Sequence, residues 1–90
     1  MKEYERFTAE NYDEIEGLQK RYLTAFIFQA DYTDEWNFYK SLDILYKQFY
    51  KGLKNKEELE DLDASKHYIS LMGLEESKKI LIQLARKKLA

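Results

Sequence analysis

The single histidine, His67, is the first place to look for catalysis or metal binding, because imidazole is the side chain whose ordinary pKa lies nearest neutrality. It follows Asp63 by four residues, a spacing that puts both on one face of a helix. The position three before it is Ala64, so the Glu-x-x-His of carboxylate di-metal bundles is missing. Ser65 and Ser70 stand nearby, yet a serine nucleophile needs a base oriented by a third group, and the spacing provides no such set. His67 reads as a surface or capping histidine.

Asp61, Asp63 and Ser65 place oxygen atoms at the first, third and fifth positions of a calcium loop. The pattern then fails: Lys66 occupies the sixth position, where the turn needs glycine, and Met72 the twelfth, where a bidentate glutamate belongs. Glycines 17, 52 and 73 are isolated, so no glycine-rich loop can cradle a phosphate. The chain has no cysteine, which removes disulfides, thiolate nucleophiles and the usual cysteine-bearing zinc sites. These features predict a non-enzymatic protein with no metal, cofactor or small-molecule substrate.

Charge is the next candidate for function. Residues 1–63 carry nine basic and fifteen acidic groups, whereas residues 64–90 carry six and two, so the net of −2 hides an acidic first part and a basic end. Lys78, Lys79, Arg86, Lys87 and Lys88 concentrate the positive charge in the last helix, where phosphate contacts to DNA are the alternative function to weigh. Lysines near a helix C-terminus are also favoured by the macrodipole alone. A helix-turn-helix drawn around Gly73 puts Ile69 where a small residue packs best and Lys79 at an inward position. Both details count against it, and nucleic acid is not the expected partner.

The chain is rich in aromatics, with eight Tyr, five Phe and one Trp. At helical spacing Phe26, Phe38, Tyr39, Tyr46, Phe49 and Tyr50 read as core. Phe28, Trp36 and Ile44 do not fit: Phe28 points away from the apolar arc of its helix, Ile44 falls on the polar side of the next, and Trp36 stands at the edge of that arc. Together they are the candidate contact surface for another protein or a second subunit.

The elements that must position these residues are helices, since spacings of three and four run through the chain and sustained alternation is absent. The first is expected over 9–30, capped by Thr8, with Phe7 and Tyr12 as a hydrophobic staple and Gly17 inside it as a point of close helix approach. The second, 34–52, begins at Thr33 or Asp34 and turns Phe38, Tyr39, Leu42, Leu45, Tyr46, Phe49, Tyr50 and Leu53 inward. Lys40, Lys47, Lys51 and Lys54 line much of its other side. Asn55-Lys56-Glu57-Glu58 forms a capping box for the third, 56–72, whose apolar phase drifts and predicts a break near 63–65. Gly73, in a left-handed conformation, closes it before a fourth helix over 75–89, which turns Ile80, Leu81, Leu84, Ala85 and Leu89 inward. The least defined boundary is Asp31-Tyr32-Thr33, where a continuous helix would give a long hairpin and an obligate dimer.

Ninety residues support one hydrophobic core, so 1–90 is a single all-α domain, a bundle of about four helices. No signal-peptide h-region opens the chain and no apolar run approaches the length of a membrane span, so a cytoplasmic location is expected. The size and helical content are shared with many small bacterial and phage proteins, bacteriocin immunity bundles among them. The expected function is protein–protein interaction or self-association, as a regulator, adaptor or immunity-type factor, with a homodimer as one form of it.

Overall fold

A computed structural model describes residues 12–15 and 17–89, with the side chains of Asp13, Leu18, Lys88 and Leu89 outside that description. A short 3-10 turn, Tyr12–Glu14, leads into three helices: α1 (Gly17–Gln29), α2 (Glu35–Lys51) and α3 (Lys56–Leu89). Every regular element among the described residues is helical. The expected third and fourth helices are the two arms of α3, which meet at the non-helical backbone of Gly73. A straight helix of that length would run about 51 Å at 1.5 Å per residue, whereas the longest dimension of the molecule is 35 Å. The bend at Gly73 therefore folds α3 back onto the bundle.

Gly73 has φ 78° and ψ −179°. The positive φ matches the expectation, but this ψ lies outside the left-handed helical well, in the mirror-extended region that only glycine occupies at low cost. The expected first helix is the more altered. Gly17, with φ 73°, opens α1 after the 3-10 turn instead of sitting in the middle of a helix, and a Cβ placed on it would meet nothing within 4 Å among the described residues. Its role is the backbone turn, and no described helix approaches closely there. The cap at Thr8 and the Phe7 half of the staple lie outside the described residues.

The chain breaks between α1 and α2, as the caps require. Ala30 N–H closes the last turn on Phe26 O, and the Tyr32 hydroxyl donates to Ile27 O at 2.6 Å. Asp31 N–H donates to Ser41 Oγ, tying the turn to α2. Asp34 then caps α2: its Oδ1 accepts from Asn37 N–H at 2.8 Å and its Oδ2 from Asn37 Nδ2 at 2.9 Å. At the start of α3, Asn55 Oδ1 accepts from Glu58 N–H at 2.9 Å. Glu58 reaches back to Lys54 N–H, one residue before the cap.

The break expected near 63–65 does not occur, and α3 runs helically through it. The phase drift had a different cause. Ala64 and Ser65 are buried, so this segment presents small residues as well as large ones to its neighbours. Ser65 Oγ shares its proton between Asp61 O in its own helix and Gln19 O of α1, at 2.7 and 3.1 Å, while Gln19 Nε2 donates to Asp61 Oδ1. On its other side the segment meets α2. A helix between two partners buries a wider arc than a single stripe.

The core joins Leu23, Phe26 and Ile27 of α1, Phe38, Leu42 and Leu45 of α2, and Leu62, Ile69, Met72, Leu74 and Ile80 of α3, with Tyr12 and Ile15 closing one end. Phe26 meets the ring of Phe49 edge-on at 5.0 Å. Ala85, expected inside, is exposed, and Ile82 is 51% exposed.

Candidate functional site

The buried stripe of α2 fixes what its outward side can present. Phe38, Leu42 and Leu45 point into the core, so residues offset from them by half a turn face solvent. Trp36 is 67% exposed, Tyr50 52%, Ile44 47% and Tyr39 41%. Trp36 and Ile44 thus stand on the surface, as does Phe28 on α1 at the lower value of 38%. Phe28 belongs to a different helix and makes a further interaction of its own.

Tyr39 and Tyr50 depart from the core positions expected of them, and Tyr46 is half-buried. On a wheel centred on the buried stripe the three tyrosines lie about 70° to 110° off, on the same shoulder. That angle was the available signal: an amphipathic phenol at the margin packs its ring and leaves its hydroxyl to polar partners. The Tyr39 hydroxyl donates to Ser70 O at 3.4 Å, above the Gly73 bend. The Tyr46 hydroxyl donates to Asp63.

Charged groups complete the face. Lys40 Nζ lies 4.5 Å from the centre of the Trp36 ring. Lys66 Nζ sits 5.0 Å from the Tyr46 ring and 2.6 Å from Asp43 Oδ1, so α3 supplies a cation that ties down an α2 carboxylate. The ground is open: a depression of about 620 Å³ lies over Trp36, Tyr39 and Lys40, and one of about 340 Å³ over Tyr46, Lys47 and Tyr50.

A third depression, about 440 Å³, gathers Tyr46, Asp63, Lys66, His67 and Ser70. The hydrogen bond to Asp63, assisted by burial, pushes the Tyr46 phenol up to about 12. A phenol held neutral in this way is neither base nor nucleophile near pH 7. Asp61, Asp63 and Ser65 lie on continuous helix and not on a loop, and the described residues contain no group of three or more side chains placed to hold a metal.

The basic end of the chain is less uniform than its sequence. Lys78 Nζ lies 3.7 Å from Glu75 and Lys79 Nζ 3.4 Å from Glu76. Arg86 and Lys87 are exposed, and the Lys88 side chain lies outside the described residues. Ile82 falls between Lys78 and Arg86 on the same face, which places an exposed apolar group in the middle of the positive one.

Comparison with protein-family models, curated proteins and solved structures found no match for this chain. No helix among the described residues is long and apolar enough to cross a membrane.

Proposed function

We propose that this chain is a non-enzymatic binding protein, acting in the cytoplasm as a regulator, adaptor or immunity-type factor through contact with another protein or with itself. The observation that carries the reading is the outward face of α2, where Trp36 stands 67% exposed near Tyr39, with Tyr50 exposed at the other end of the helix. Large aromatics at a surface are costly to leave wet and are the side chains most enriched at binding hot spots. Lys40, Asp43 and Lys47 alternate in sign along this face and favour a partner whose charges alternate in the opposite order.

A nucleic-acid role for Lys78, Lys79, Arg86, Lys87 and Lys88 draws less support, since two of these lysines face glutamates and Ile82 interrupts the patch. Salt-sensitive binding of duplex DNA by the unaltered protein would reverse this ranking.

The test is photo-crosslinking from position 36, with position 60 on an exposed turn of α3 as the control, in cells of the source organism. A discrete covalent protein adduct from position 36 alone is expected. Identical patterns from both positions, or none, would remove the reading.

A further inference from the structure

The outward face of α2 is complementary to itself. Trp36, Lys40, Asp43 and Lys47 are all exposed and follow one another by steps of four, three and four, which keep a single seam of one helix turned toward another. In an antiparallel pair centred between residues 41 and 42, Lys40 faces Asp43 of the other copy and Lys47 faces its Trp36. Two-fold symmetry repeats each contact. The seam then contains two Lys–Asp pairs and two Lys–Trp contacts, each Asp43 standing between Lys66 of its own chain and Lys40 of the other. A parallel pair would set Lys40 against Lys40 and Asp43 against Asp43, which is repulsive.

The existing contacts are compatible with this docking. Asp43 Oδ1 is held by Lys66 at 2.6 Å, and a carboxylate has a second oxygen to offer. Lys40 covers the Trp36 ring at 4.5 Å, leaving the indole's other face for Lys47 of the second copy. Tyr39 and Tyr46 border one side of the seam and Ile44 the other, so the charged pairs are flanked by apolar area.

We propose that the occupant of this face is a second copy of the chain, docked antiparallel along α2. The proposal rests on the protein-contact reading above and names its partner. A 17-residue helix is about 25 Å long, and a single helix pair of that length falls in the small-interface class of weak, reversible association.

Sedimentation equilibrium from about 1 µM to about 500 µM should show a monomer passing to a dimer, with a midpoint on the order of tens of micromolar that rises with salt. Lys40→Asp and Asp43→Lys should each raise the dissociation constant at least about tenfold, because each creates two like-charge contacts. Mixing the two variants should restore association, since the hybrid dimer again pairs Lys with Asp at both sites. Helical circular dichroism with a cooperative melt would confirm that both variants remain folded, Asp43→Lys melting somewhat lower because it also loses Lys66. A monomer throughout the range, or a dimer indifferent to the single changes and to their mixing, would overturn the proposal. If the protein is monomeric yet crosslinks from position 36 to a different protein, only the second-copy assignment fails. If it is monomeric and gives no adduct, the contact reading fails with it.

Discussion

Ser77 is fully buried, and its hydroxyl finds no hydrogen-bond partner among the described residues. A desolvated hydroxyl without a partner costs about 1 to 3 kcal/mol, so Ser77→Ala should stabilise the fold by about 1 kcal/mol. Thermal melts should register this as a rise of roughly 4 to 8 °C for a domain of this size, and a fall would show that the hydroxyl is satisfied. Ser65 is the opposite case, because its hydroxyl serves Asp61 O and Gln19 O. Tyrosines respond to alkali. Tyr46 is raised to about 12 by its bond to Asp63 and by burial, and Tyr22 and Tyr32 are raised chiefly by burial. Unfolded tyrosine titrates near 10, so the folded state holds these protons more tightly. Their contribution is fully present below about pH 10 and is lost as pH climbs above it, for Tyr46 through about 12. Urea midpoints from pH 9 to 12 should fall across that window, with tyrosinate absorbance rising in step with unfolding. A flat profile would contradict the assignment.

At the scale of the element, the bend in α3 depends on one backbone conformation. Gly73 at φ 78° and ψ −179° occupies a region that side chains strain against, so Gly73→Ala should destabilise by about 1 to 3 kcal/mol. The new Cβ would lie 3.6 Å from Tyr39 Oη, an ordinary contact, so the loss is backbone strain and not a clash. Gly73→Asn should rescue little, since asparagine tolerates the left-handed helical well but not this one. Equal stability of Asn and Gly at this position would mean that the bend relaxes into that well. Asp34→Ala removes the acceptor for Asn37 N–H and should cost about 1 kcal/mol, measurable by urea denaturation. Gly73 was legible in the sequence and the α2 cap was narrowed to Thr33 or Asp34, because a cap and a helix stop act over three or four neighbours; the structure selects Asp34. The phase drift at 63–65 was legible too, but its meaning was not: burial of Ala64 and Ser65 follows from the flanking helices, which local spacing does not contain.

For the whole molecule, the division between core and surface separates two sets of large apolar residues. Phe26→Ala empties a fully buried site edge-on to Phe49 and should cost about 3 to 5 kcal/mol. Trp36→Ala and Ile44→Ala should change the melting temperature little, because surface positions away from caps and cores stay within about 0.5 kcal/mol. Losses at Trp36 comparable to those at Phe26 would place the indole in the fold and remove the carrying observation for a contact face. The sequence by itself determined the all-helical class, a cap at Thr33 or Asp34, the cap at Asn55, the stop at Gly73 and the burial of Phe38, Leu42 and Leu45 in α2, because each is written in neighbours less than two turns apart. It also placed Phe28, Trp36 and Ile44 off their core arcs, and each is exposed. Only the tertiary structure decided that Tyr39 and Tyr50 belong with the surface, that α3 continues past Ser65, and that Gly17 turns the chain ahead of α1. Those outcomes depend on how far a neighbouring helix covers a shoulder, and that coverage comes from residues distant in the chain, to which a helical wheel is blind.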